Sequence, residues 1–389
     1  MIMKSIYPLK LLLLLFFLLA SGCKKEDSPE PQFPSFEEEL DYLVEKYVRM
    51  GAAVGIVDKQ QNLQEYYFGT LSKDGMKQPD SHSIFEIGSI TKTFTSTLLA
   101  QMILDGKIDL ADELEFLLPE GEVTVPHYNG TLIIMEHLAT HTSGLPKRPQ
   151  DSGQPLPPGY DPNDLYAAYT TSYVYDYLSS YCNLLFEPGT RYAYSNTGMG
   201  LVGHVLGLVD GSSYEEVLRR EIIEPLGLNE TSLDLNEDQI LNLAPGHDEH
   251  LYSVSNYHAQ DVFQGAGFIK TSLNDMLIYL KAQMGLTETS LDEAIEMTHQ
   301  SYFDVGGVTY DDREGSYHLS IGLAWHIDVL PEGYTFYSHG GRTNGYMAYM
   351  AFNLETLTGV VILCNQSQAG VITRFGEDLL KAVHKYGSI

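Results

Sequence analysis

Strand-like segments stand near both ends of this 389-residue chain, and the stretch between them is dominated by helical spacing. Residues 52–57 and 64–69 read as two strands joined through a turn at 58–62, and 334–338, 346–353 and 359–363 read as three more. Apolar positions at Phe36, Leu40, Leu43, Val44 and Val48 predict a helix over 36–50, with Glu37, Glu38 and Glu39 at the positive end of its dipole. A second helix is expected from Ser89 with Gly106 as its stop, an acid-rich one over 214–226 and a closing one over 371–386. Strands at both ends with helices between them predict an α/β fold whose one sheet is built from both termini and flanked by helices. A mostly helical region, about 109–290, is then inserted against that sheet, and the natural site is the seam between the two. No internal repeat or linker breaks 36–389, which is read as a single domain.

Charge removes one class of function. The chain has 52 acidic and 23 basic residues, a formal net charge of -29. Such a surface repels a phosphate backbone, and no basic patch offsets it, so no nucleic-acid partner is expected. Cys182 and Cys364 either pair, which an oxidising compartment permits, or stay as two buried thiols.

The first residues predict a destination. Lys4 and Lys10 precede ten unbroken apolar residues, 11–20, about half of what a helix needs to cross a bilayer. The run ends in Ala20-Ser21-Gly22-Cys23, and 1–22 is similar to a bacterial lipoprotein signal peptide in which Cys23 becomes the lipidated first residue. Residues 23–35, with three prolines and several charges, are read as a tether. The expected location is the cell envelope, lipid-anchored to a bacterial membrane, periplasmic or on the outer surface. Lys24-Lys25-Glu26-Asp27 resembles the run found after the cysteine in lipoproteins displayed on the outer face.

Three local patterns carry chemistry. In Phe85-Glu86-Ile87-Gly88-Ser89-Ile90-Thr91-Lys92, Ser89 and Lys92 are three apart at the start of a helix and share a face. A lysine of lowered pKa there can take the proton of a serine nucleophile, and the first-turn N–H groups can hold negative charge on a carbonyl oxygen. An N-cap serine beside a solvated lysine would leave the same pattern. In Tyr192-Ala193-Tyr194-Ser195-Asn196, Tyr194 and Asn196 can project together from a loop, one to move a proton and one to hold a lysine or a substrate carbonyl. In a chain with 27 tyrosines, a packed ring and a turn asparagine would read the same way. In Ser338-His339-Gly340-Gly341-Arg342, a strand is expected to end in glycines that let a substrate backbone lie close. Here the Arg342 N–H is a second oxyanion donor, and His339 is a proton donor or a polar wall; a tight hairpin end is the alternative.

Taken together and in this order, Ser89-x-x-Lys92, Tyr194-x-Asn196 and His339-Gly340-Gly341 resemble the active-site elements of the penicillin-recognising serine hydrolases. The similar branch holds class C beta-lactamases, D-alanyl-D-alanine carboxypeptidases, D-aminopeptidases and esterases. Residues 138–145, 186–202, 265–268 and 321–325 add to the likeness, which runs from about 40 to 385. The resemblance implies a beta-lactamase/transpeptidase-like fold with an antiparallel sheet. It also implies an acyl-enzyme at Ser89, proton management by Lys92 and Tyr194, with Tyr194 the principal base or acid, and an oxyanion hole from the N–H groups of Ser89 and Arg342. Asn196, His339, Gly340, Gly341 and Arg342 would bind substrate.

That route needs no metal or cofactor. His137 and His141 are four apart and suit one helix face, but Leu138 stands where a zinc hydrolase would carry its glutamate. Class C beta-lactamases usually carry a lysine at the third element; His339 instead resembles the carboxypeptidase, D-aminopeptidase and esterase members, and Arg342 offers a charge for a substrate carboxylate. The expected substrate is a D-amino-acid-containing peptide or peptidoglycan fragment. A carboxylesterase, a weak beta-lactamase and a catalytically silent binding lipoprotein are the alternatives, and a monomer is favoured.

Overall fold

A computed structural model describes residues 31–308, 317–330 and 333–387. The run 1–22 and Cys23 lie outside the described residues, and the compact unit that holds the sheet begins at Ser35. It opens with α1 (Phe36–Tyr47), whose N-cap Ser35 accepts from the Glu38 amide at 3.3 Å. The acids of its first turn face the positive dipole end, and Phe36, Leu40, Leu43 and Tyr47 face the core. Strands β1 (Ala52–Val57) and β2 (Leu63–Phe68) follow, joined by a turn in which the Asp58 carboxylate accepts from Gln60 and Asn62 amides. A short strand, β3 (Ile84–Glu86), leads through a 3₁₀ turn at Gly88–Ile90 into α2 (Thr91–Leu104).

Helix α2 is buried on every side from Thr91 to Ala100. The hydroxyls of Thr93, Thr95 and Thr97 bond back to the preceding turn, to the Ile90 carbonyl at 2.8 Å, the Thr91 carbonyl at 3.1 Å and the Thr93 carbonyl at 2.9 Å. The helical region around it contains α3 (Met135–Ala139), α4 (Asn196–Asp210), α5 (Asp261–Gly267), strand β4 (Lys270–Ser272) and α6 (Leu273–Gln283). Strand β4 pairs with β3 through Glu86↔Lys270, which fixes the segment just before Ser89. The expected helix over 214–226 is continuous but widens to a π-helical turn at Arg219–Ile223.

The remaining strands are β5 (Phe303–Val308), β6 (Tyr317–Ile321), β7 (His326–Val329), β8 (Thr335–Arg342), β9 (Met347–Asn353) and β10 (Thr358–Cys364), before the closing α7 (Val371–Tyr386). The main sheet has eight strands in the order β2-β1-β10-β9-β8-β7-β6-β5, antiparallel throughout. Chain start and chain end meet in it, with Ala52 opposite Cys364. Helices α1 and α7 pack on one face, and α2 and the helical region on the other, as two apolar cores. Burying apolar surface at ~25 cal/mol per Å² makes the sheet, covered on both faces, the main source of stability.

Three expectations need correction. The sheet gains β5, β6 and β7 beyond the strands read from sequence. The third motif does not end a strand: β8 continues through Gly340, Gly341 and Arg342, held by pairing to Tyr349, Ala348 and Met347. His137 and His141 share no helix face, because α3 ends at Ala139 and His141 sits at φ 60° beyond it. Cys182 and Cys364 are free thiols.

Candidate active site

Strand β7 pairs only with Thr335–Ser338 of β8, so the edge from His339 to Arg342 is open on that side. A cleft of about 610 Å³ lies along it, lined by Ser89, Tyr194, Asn196, His339 and Arg342 among others. The structure thus gathers all three sequence patterns at the seam of sheet and helical region.

Ser89 stands in the 3₁₀ turn, which Gly88 enters at φ +49°, a conformation only glycine adopts cheaply. A Cβ on Gly88 would come within 2.6 Å of the Arg342 nitrogen. One on Gly341 would overlap the Ile87 carbonyl oxygen and lie 3.1 Å from the Ser89 nitrogen. Backbone-to-backbone contact therefore brings the Ser89 and Arg342 amides to one small space, the arrangement an oxyanion needs.

Lys92 has no exposed surface. Its Nζ lies 3.0 Å from Ser89 Oγ and also donates to the Ala266 carbonyl of α5. Burial, with the Lys147 charge adding to it, holds its ammonium well below the usual lysine range. A neutral amine has two N–H groups and one lone pair, so it can donate to Ala266 and accept from Ser89. The Lys92 Nζ also lies 4.9 Å from the centre of the Tyr194 ring. Burial pushes the Tyr194 phenol well above its ordinary value, against a hydrogen bond with Ser89. Burial therefore favours the uncharged form of both proton carriers flanking Ser89.

Asn196 is the first residue of α4, whose N-cap Ser195 accepts from the Gly198 amide at 3.0 Å and donates to the Pro146 carbonyl at 2.9 Å. Asn196 Nδ2 donates to the Tyr166 hydroxyl at 2.7 Å, and its Oδ1 is buried without a partner among the described residues. Burial raises the Tyr166 phenol to about 12.

His339 is buried, with Nδ1 2.9 Å from the Gly340 carbonyl, an atom that only accepts. Its proton is thus on Nδ1, and burial, then the nearby His326 and Lys92, hold the ring neutral. Nε2, unpartnered among the described residues, is an acceptor in this state. The His326 ring stacks on it with centroids 5.5 Å apart. His141, next to Tyr194 at 4.3 Å, takes the Ser195 amide on Nδ1 at 3.2 Å, which makes it a wall of the site and orients α4. No group of three or more metal-ligating side chains occurs among the described residues.

Sequence reasoning named Ser89, Lys92, Tyr194, Asn196, His339, Gly340, Gly341 and Arg342, and all line or border the cleft. It missed Ala266 as the acceptor for Lys92, and it missed His326, Tyr166 and Lys147 in the wall. Residues 265–268 entered only as part of a likeness; the other three carry no local signal.

The beta-lactamase family profile matches residues 36–383. The chain belongs to the beta-lactamase family of serine hydrolases. Among its relatives, a beta-lactamase of Pseudomonas fluorescens is 27% identical over 84% of this chain and 92% of its own. The D-alanyl-D-alanine-carboxypeptidase/endopeptidase AmpH of Escherichia coli (strain K12) is 26% identical over 89% of this chain and 87% of its own. A crystal structure of a beta-lactamase/D-alanine carboxypeptidase from Pseudomonas syringae superposes with a TM-score of 0.74 at 22% identity, covering 91% of this chain and 98% of that one. The beta-lactamase family chain therefore has the beta-lactamase/transpeptidase-like fold: a large antiparallel sheet with helices on both faces.

Proposed function

We propose that this beta-lactamase family chain hydrolyses an amide or ester bond through an acyl-enzyme on Ser89, with a D-amino-acid-containing peptide or peptidoglycan fragment as substrate. The observation that carries the reading is the fully buried Lys92 amine 3.0 Å from Ser89 Oγ, beside the Tyr194 phenol. Ser89 Oγ bonds to the substrate carbonyl carbon as its proton passes to the Lys92 lone pair. The carbonyl oxygen becomes an oxyanion held by the Ser89 and Arg342 N–H groups. As the oxyanion collapses, the bond to the amine or alcohol breaks, and that leaving group takes the Tyr194 proton. Transfer from the Lys92 ammonium restores the phenol, and water then releases the acyl group from Ser89. Burial, which favours a neutral phenol and a neutral amine, supports Lys92 as the base and Tyr194 as the acid, a division more specific than the one expected from sequence.

Arg342, exposed at the end of the open β8 edge, supplies a cation for a substrate carboxylate. A carboxylesterase or weak beta-lactamase is the second reading, supported by His339, which places no positive charge on that edge. The test is steady-state kcat/KM of residues 36–389 on a D-alanyl-D-alanine peptide, a D-amino-acid amide, a short-chain aryl ester and a chromogenic cephalosporin. The proposal expects peptide or amide turnover, abolished in Ser89→Ala and reduced about 10²- to 10⁴-fold in Tyr194→Phe. Turnover of the ester alone would hand the function to the second reading, and wild-type turnover in Ser89→Ala would overturn both.

We also propose a lipid anchor at Cys23, supported by the apolar run 11–20 and the small residues before the cysteine. Cys23→Ser should move the full chain out of the bacterial membrane fraction; retention there would contradict the anchor.

A further inference from the structure

The cleft holds a cation that the reaction scheme does not use. Lys147 is exposed, yet it lines the cleft, with its Nζ 5.8 Å from the centre of the Tyr194 ring. Among the described residues its ammonium has no hydrogen-bond or ion-pair partner. The adjacent Arg148 differs, being committed to Asp151 at 3.1 Å.

The backbone of Lys147 is fixed. Its carbonyl accepts from the Asn196 and Thr197 amides at 3.1 and 3.2 Å and from the Thr197 hydroxyl at 3.3 Å. The same N-terminus of α4 that presents Asn196 thus holds Lys147 at the rim. Asn196 Oδ1 and His339 Nε2 are acceptors, so Lys147 is the charged donor of this wall.

We propose that Lys147 is a specificity residue that binds a carboxylate of the substrate on the Tyr194–Asn196 side of the cleft. This rests on the acyl-enzyme reading and adds the substrate class: molecules with a carboxylate there, besides any group that meets Arg342. In a protein of formal charge -29, long-range repulsion of anions makes an unpaired local ammonium the means of selecting them.

The test uses two pairs of aryl esters, differing only in a carboxylate or a carboxamide, placed on the acyl part in one pair and on the leaving group in the other. Wild-type enzyme should favour the carboxylate in at least one pair by about tenfold in kcat/KM, a difference carried by KM. Lys147→Met should erase that preference, Lys147→Arg should keep it, and Lys147→Glu should invert it, with melting temperatures unchanged. Equal kcat/KM within both pairs, or a preference surviving in Lys147→Met, overturns the proposal. Labelling of Ser89 by a neutral fluorophosphonate separates the two levels: labelling with no carboxylate preference sinks this inference alone. Absence of both labelling and turnover sinks the acyl-enzyme reading and this inference with it.

Discussion

Removing an ammonium from water is expensive unless its charge is neutralised, and Lys92 is surrounded by protein on every side. Folding therefore favours its amine form, which is the form a base next to Ser89 requires. The consequence for stability follows from linkage. Unfolded, Lys92 titrates at an ordinary value of about 10.4. Between that value and the depressed folded one, the unfolded chain binds a proton that the folded chain does not. Its contribution to stability thus falls as pH falls through that window, by at most about 1.4 kcal/mol per pH unit, and is unpenalised above it. Lys92→Met should abolish activity. Relative to wild type it should gain up to about 1.4 kcal/mol per pH unit as urea denaturation is moved from about pH 10 toward neutrality. A difference independent of pH would mean that Lys92 is charged in the fold. At this scale the spacing of Ser89 and Lys92 was legible because one helical turn fixes it. Ala266, 174 residues from Lys92, and Lys147 were not, because only tertiary packing brings them near.

Elements with strong apolar patterns were read well: β1, α1 and α7 fall where periodicity put them, α7 within its expected limits. Strand β5 was missed because Phe303–Val308 contains two glycines and is only partly buried, and β7 because four residues leave little pattern. The strand was expected to end in the glycines, since glycine lowers strand propensity, yet β8 continues through Gly340 and Gly341 to Arg342; the close approach expected of them is realised by Gly341 against the Ile87–Ser89 backbone. Gly341→Ala tests this. Its Cβ would meet the Ile87 backbone, so β8 must move away from the Ser89 turn and carry the Arg342 amide with it. Losing one oxyanion donor costs about 10²- to 10³-fold, and kcat on whichever substrate the wild type turns over should fall by that much with a lower melting temperature. Near-wild-type turnover would mean that the Arg342 amide takes no part.

For the whole molecule, the architecture explains why catalysis at one turn needs both ends of the chain. Strand β1 from the start pairs along its full length with Gly359–Cys364 of β10 from the end, which places β9 and then β8 beside the helical region. On that side the 3₁₀ turn before α2 contributes Ser89, α2 contributes Lys92, the head of α4 Tyr194 and Asn196, and α5 Ala266. The sheet built from both termini and the site at its seam were legible from the order of strand and helix patterns. The eight-strand count was not, nor was the open edge of β8, which depends on where the short β7 stops pairing. The central claim is that this assembly makes Ser89 the one activated nucleophile. Intact-protein mass spectrometry after reaction with a fluorophosphonate, followed by peptide mapping, tests it directly. The account predicts a single adduct per chain, located on Ser89 and absent from Ser89→Ala. An adduct on another residue, or none in the folded wild-type protein, would contradict it.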